Sequence, residues 1–130
     1  MTSVLDTGGS LRGGPATSAP PILLATPQRG RSGAVITLDG EIDISSVGQI
    51  RAAVAECLRG PSPKSLLIDL SAVTFCDCAG IEALEWAHGR ARTGRMHFRL
   101  SGVDKRLRRI FTLAHADGLL DACRPLRVAN

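Results

Sequence analysis

The apolar run Leu66 to Phe75 is joined by a four-residue turn, Asp77-Cys78-Ala79-Gly80, to an amphipathic helical pattern that begins at Ile81. A strand that passes this directly into a helix reads as a βα unit, because the chain must cross back over the sheet before it extends again. The turn is also chemically placed. Backbone amides at a helix N-terminus stabilise negative charge through the helix dipole and their unpaired N–H groups. Two of the four turn positions are nevertheless a thiol and a methyl.

Strand and helix patterns alternate elsewhere too. Ile22-Leu23-Leu24-Ala25 predicts a short strand, Pro27 to Gly33 a turn, and Ala34 to Leu38 a second strand that Asp39-Gly40 ends, together a hairpin. Ser46 stands three residues before Gln49, the spacing of a capping box, and Val47, Ile50, Val54, Cys57 and Leu58 then recur at helical spacing until Gly60-Pro61-Ser62-Pro63. Leu66-Leu67-Ile68 lacks alternation, which predicts a central strand covered on both faces. After the turn, Ile81, Leu84, His88 and Ala91 share one helical face, and Thr93-Gly94 ends the helix. Met96, Phe98 and Leu100 alternate with His97 and Arg99 as a strand. A further helix starts near Asp104 with Val103, Leu107, Ile110, Phe111 and Ala114 as its apolar face and Gly118 as its stop.

The architecture implied is a small α/β domain: a mixed β-sheet with a parallel βαβ core, an N-terminal hairpin strand and about four helices. Residues 1–21, rich in Gly, Ser, Thr and Pro, predict a disordered tail, with the domain at 22–121 and a C-terminal tail at 122–130. Functional groups in such sheets collect beyond the carboxyl ends of the parallel strands, here Asp39 to Asp43, Ser71 to Gly80 and Ser101 to Asp104.

Composition narrows the function classes. A chain of 130 residues, 44% hydrophobic with formal charge +4, suits one domain with a real core. Its basic residues cluster at Arg90, Arg92 and Arg95 and at Lys105, Arg106, Arg108 and Arg109, which favours an acidic partner. Three Phe, one Trp and no Tyr argue against direct nucleic-acid binding, which leans on stacking aromatics. No apolar stretch reaches the roughly 18 residues of a membrane span and no signal peptide is legible, so the expectation is a cytoplasmic protein without a membrane partner. Cys57, Cys76, Cys78 and Cys123 lack CxxC spacing and a nearby histidine, which points to free thiols, with no metal and no cofactor. Cys76 and Cys78 flank Asp77 and would share a side in extended backbone; small buried side chains are the favoured reading over a redox pair.

The segments Asp39-Gly40-Glu41-Ile42-Asp43, Leu67-Ile68-Asp69-Leu70-Ser71-Ala72-Val73-Thr74-Phe75 and Asp77-Cys78-Ala79-Gly80-Ile81 resemble the signature of STAS domains, specifically bacterial anti-sigma factor antagonists. The resemblance runs in order from Ile22 to Leu120. In that family the turn usually reads Asp-Ser-Ser-Gly, and the second serine is phosphorylated by an anti-sigma factor that is itself a serine kinase. The matching residue here is Ala79, and Cys78 stands at the other serine. The resemblance implies partner switching, in which the unmodified antagonist binds its anti-sigma factor and releases a sigma factor for transcription. It also implies a partner-binding surface at Asp43, Asp77, Cys78, Ala79, Gly80, Ile81 and Glu82. Alanine cannot accept phosphate, so the usual switch is expected to be lost at Ala79.

Three accounts of that loss stand: a constitutive antagonist controlled by its synthesis or by competition, modification at Ser71 or Thr74 instead, or oxidation of Cys78. Asp43 is read as partner-facing in preference to a cap before Ser45-Ser46, while Asp77 suits both partner contact and capping of amides near Gly80. Trp86 is read equally as an interface anchor or as cover for a neighbouring helix, and the scattered His88, His97 and His115 as isolated histidines. No nucleophile is followed by a paired base and no glycine-rich loop has phosphate-binding spacing, so no catalytic residue is assigned and the chain reads as a non-enzyme. The alternatives are a stand-alone STAS or receiver-like signalling module that binds a small ligand or another protein. A receiver would use Asp69 as acceptor but needs an acidic pair and more βα units than this chain offers.

Overall fold

The computed structural model describes residues 22–123, so the expected tail 1–21 and residues 124–130 lie outside the described residues. The elements are β1 (Leu23–Arg29), β2 (Ala34–Ile42), α1 (Val47–Cys57), β3 (Ser65–Cys76), α2 (Cys78–Thr93), β4 (His97–Ser101), α3 (Lys105–Leu113) and α4 (Asp117–Ala122). They build one sheet in the order β1-β2-β3-β4, with β1 antiparallel to β2 and the other two pairs parallel. This is the mixed sheet with a parallel core that the alternating patterns imply.

The hairpin turn is tighter than Pro27 to Gly33. Pro27 lies within β1 opposite Ile36, and the turn closes where the Gly30 amide donates to the Gly33 carbonyl at 2.8 Å. Proline lacks a ladder donor but is tolerated on an edge strand, and β1 is the sheet edge.

Asp39-Gly40 does not end β2, which runs on to Ile42. Gly40 adopts φ 125°, and an added Cβ there would lie 2.1 Å from the Ile22 carbonyl oxygen, which accepts the Glu41 amide at 2.9 Å. Only glycine fits both the dihedral and the approach. Opposite, β2 advances from Thr37 to Asp39 while β3 advances from Asp69 to Ala72, and from Gly40 to Glu41 while β3 advances from Val73 to Phe75. β3 therefore carries two extra residues, and Asp69 Oδ1 steadies the first bulge by accepting the Ser71 amide at 2.9 Å. Burial along β3 consequently changes from alternation at Leu66, Ile68 and Leu70 to wider steps at Val73 and Cys76.

Ile36, Leu38, Leu66 and Ile68 are buried on the sheet face that packs with Ile50 and Val54 of α1 and Ile81 and Leu84 of α2. The other face is only partly shielded: Val35, Thr37, Leu67 and Asp69 are half-buried, so Leu66-Leu67-Ile68 is not covered equally on both sides as its lack of alternation predicts. Trp86 lies half-buried between α1 and α2, with the Arg51 and Arg90 guanidinium groups 5.4 and 5.8 Å from its ring centre, which favours the helix-covering reading. His88 stacks on Phe98 with ring centres 4.8 Å apart, and burial first, then the Arg92 charge, pushes its pKa down.

Of the two glycine signals for helix ends, Gly94 holds and Gly118 does not. α2 ends at Thr93 with Gly94 as its C-cap, as Thr93-Gly94 predicts, and the chain then turns through Arg95 at φ 57°, where the Met96 amide reaches back to the Ala91 carbonyl at 2.8 Å. α3 ends in the same way through His115 at φ 55°, and Gly118 falls inside α4, where a Cβ would sit 3.0 Å from the His88 ring. The Ser46-Gln49 capping box does not form. Ser46 is buried and its hydroxyl donates to the Glu41 carbonyl at 2.8 Å while accepting the Asp43 amide at 2.9 Å, so it ties the end of β2 instead.

Gly40→Ala is expected to lower folding stability by about 2 kcal/mol or more, from dihedral strain plus the clash with Ile22, read as a reduced urea midpoint at unchanged slope.

Candidate functional site

The site is built where β2 and β3 end together. Ile42 pairs with Cys76, and the Asp77 amide donates to the Ile42 carbonyl at 3.2 Å, which sets Asp43 and Asp77 at the same end of neighbouring strands. Asp77 is extended at φ −107° and ψ −170°, and its Oδ1 accepts the Gly80 amide at 3.0 Å. That N-cap bond lets α2 begin at Cys78, three residues before the apolar periodicity becomes visible at Ile81. The four-residue turn is therefore an N-cap and the first turn of a helix.

Gly80 is required by close approach. A Cβ there would come within 2.7 Å of Ile42 Cγ2, 2.8 Å of Cys76 Sγ and 3.0 Å of the Ile42 carbonyl. The start of α2 is thus pressed onto both strand ends. Of the positions implied by resemblance, Cys78 and Glu82 are exposed, Asp43, Asp77 and Ala79 are half-buried, and Gly80 and Ile81 are buried. The first group forms the accessible surface, and the last two hold it against the sheet.

Asp43 takes the local role as well as a surface place. Its Oδ1 accepts the Ser45 amide at 2.9 Å and the Ser45 hydroxyl at 2.6 Å, and that hydroxyl is the main reason its carboxyl is held below the usual range. Two aspartates thus flank the first turn of α2, where the Cys78 and Ala79 amides have no partner within the helix. The amides favour an incoming anion and the carboxylates oppose it.

The two neighbouring cysteines do not share a side. Cys76 ends a strand facing the core, and Cys78 opens a helix facing outward, because Asp77 is the residue at which the backbone changes conformation. Burial, then the charges of Asp77 and Cys78, pushes the Cys76 thiol up to about 12. Its Sγ donates to the Asp77 carbonyl at 3.6 Å. Among the described residues, no group of His, Cys, Asp and Glu is arranged to hold a metal ion, and no helix is long and apolar enough to cross a membrane.

Two apolar residues beside the aspartates escape a reading of the sequence: Ile44 is 77% exposed and Phe75 49% exposed. Phe75 belongs to an apolar run that reads as core, and only the second bulge of β3 turns it outward. The available signal for Ile44 is its place in the Asp43-Ser45-Ser46 polar turn.

Asp77→Ala is expected to cost about 1 kcal/mol of stability through loss of the cap, measured by urea unfolding. Under native conditions at pH 8, a maleimide should label Cys78 first. Cys76 should resist until the protein unfolds, as mass spectrometry of digested samples would report.

Residues 24–127 match the STAS domain family. The anti-sigma-F factor antagonist RsfB of Mycobacterium tuberculosis (strain H37Rv) is 30% identical over 111 residues, covering 76% of this chain and 90% of the relative. An anti-sigma factor antagonist from Mycobacterium paratuberculosis has a similar structure, with 27% identity and a TM-score of 0.61 over 78% of this chain and 85% of its own. The unphosphorylated anti-sigma factor antagonist SpoIIAA shares the fold at 20% identity and a TM-score of 0.65, over 80% of this chain and 89% of its own. The match takes in all four strands and the helix that Asp77 caps, and the chain belongs to the STAS domain family.

Proposed function

We propose that this STAS domain is an anti-sigma factor antagonist: it binds a serine-kinase-type anti-sigma factor in the cytoplasm and so frees a sigma factor for transcription. Its relatives carry the antagonist name, and its accessible surface at the start of α2 suits protein contact. It acts by binding, with no catalytic step of its own. The observation that carries the reading is the first turn of α2, capped and seated in the manner of a switch site yet bearing Ala79 in place of a hydroxyl.

A phosphate at this position would add about −1.5 to −2 charges beside Asp43 and Asp77, enough to oppose a partner that tolerates the neutral surface. Ala79 removes that option, so binding is constitutive and control lies in synthesis or in competition among antagonists. The hydroxyls of Ser71 and Thr74 are less suited to the role. The Ser71 backbone is part of the Asp69 bulge, and the Thr74 hydroxyl donates to the Gly40 carbonyl at 3.3 Å.

Pull-down from native cytoplasm with mass spectrometry should capture a kinase-type anti-sigma factor. With that partner purified, addition of ATP should leave the wild-type affinity unchanged and the protein unphosphorylated, whereas Ala79→Ser should gain one phosphate and lose binding. Phosphate on Ser71 or Thr74 of the wild type would overturn the constitutive reading.

A further inference from the structure

α3 carries a charge pattern that its own fold does not explain. Lys105, Arg106, Arg108 and Arg109 are all exposed within its first turn and a half, and none forms an ion pair among the described residues. Cations at a helix N-terminus face the positive end of the dipole, and Lys105 with Arg108 and Arg109, like Arg106 with Arg109, stand at the three- and four-residue spacings where like charges repel. Asp104 caps the helix, its Oδ1 accepting the Leu107 amide at 2.8 Å, and it forms no ion pair with any of the four among the described residues. Buried Leu107 and Phe111 hold the helix in place regardless.

Beside this basic face lies an apolar groove of about 220 Å³. Val73, Phe75 and Cys76 of β3 form one wall, Leu107 and Ile110 of α3 the other, and Arg106 stands at its rim. The groove exists because β3 runs to Cys76 while its pairing with β4 ends at Asp69 and Ser101, so no strand borders that edge over the last residues of β3. Cys76 precedes the cap residue Asp77, which makes the groove continuous with the first turn of α2.

We propose that this groove is the second half of the antagonist's contact with its anti-sigma factor, taking an apolar anchor side chain carried on an acidic segment of that partner. The inference rests on the antagonist reading. Apolar anchors in desolvated pockets dominate binding energy, while rim charges select and steer the partner. The surface is bipolar: Asp43, Asp77 and Glu82 lie on the α2 side, and Lys105, Arg106 and Arg109 on the α3 side. A partner with carboxylates opposite α3 and cations opposite Asp77 docks in one orientation, because the reversed pose sets like charges together. Of these cations Arg106 lines the groove, and Phe75 is its single aromatic residue, which falls short of the series of stacking rings that single-stranded nucleic acid uses.

The test uses the anti-sigma factor identified by the pull-down, titrated calorimetrically at low and high salt. Wild-type affinity should fall with salt. The variant Arg106→Glu/Arg109→Glu should bind about tenfold or more weakly at low salt with a flatter salt dependence, while Arg106→Lys/Arg109→Lys stays within about threefold. Phe75→Ser should weaken binding by about tenfold at both salts, since it removes the groove wall and no charge. Urea midpoints near wild type confirm that the variants fold. If charge reversal and Phe75→Ser bind as wild type does while Glu82→Lys weakens binding, the groove proposal falls and the antagonist reading stands. If charge reversal spares the anti-sigma factor but abolishes binding to phosphatidylglycerol vesicles, the basic face belongs to a membrane and the proposal is overturned. Failure of the wild type to bind any anti-sigma factor overturns the antagonist reading itself.

Discussion

The parallel pairing of β2 with β3, carried through two bulges to the Ile42–Cys76 pair, is the constraint on which the rest of the site depends. It delivers the Ile42 carbonyl to the Asp77 amide and so fixes where β3 stops. From there Asp77 caps α2, and the helix starts so close to both strand ends that position 80 has no room for a side chain. Asp43 and Asp77 come from segments far apart in sequence, and only this register sets them at one end of the sheet. A slip of one residue would reverse the faces of β3 and separate them.

The same register explains why the surface is mixed in character. An extra residue near Thr74 turns Phe75 outward, and the early end of β4 leaves the edge of β3 open beside α3. Apolar surface is thereby exposed next to a capped helix start, where it contributes little to stability and suits the association proposed above. Carboxylates on one flank and cations on the other give that surface a direction. Ala79 suits this geometry, because its methyl needs no partner and the cap bond belongs to Asp77.

Much of this was legible in the chain. The order of the four strands and of α1, α2 and α3, the apolar faces of α1 and α2, that of α3 apart from exposed Ala114, and the capping role of Asp77 follow from local periodicity and short-range hydrogen bonding, whereas α4 has no such signal. Asp39-Gly40 and Pro27 misled, because turn-forming residues also serve at bulges and sheet edges, and which use applies depends on the neighbouring strand. Ser46 misled similarly: its spacing to Gln49 suits a capping box, yet its hydroxyl is claimed by the Glu41 carbonyl that the end of β2 presents. Gly94 marked the end of α2, where it is the C-cap, whereas Gly118 lies inside α4, and α3 ends earlier, where His115 takes the left-handed conformation.

Local sequence therefore determined the element order as far as α3, the family signature and the absence of a hydroxyl at position 79, because each depends on residue type and short-range spacing alone. Tertiary structure decided that the turn is a helix's first turn, that Cys76 faces inward and Cys78 outward, and that Phe75 and Arg106 border one groove. These depend on bulges and strand register. Both are set by long-range pairing, whose energy is shared between strands and written in neither segment by itself.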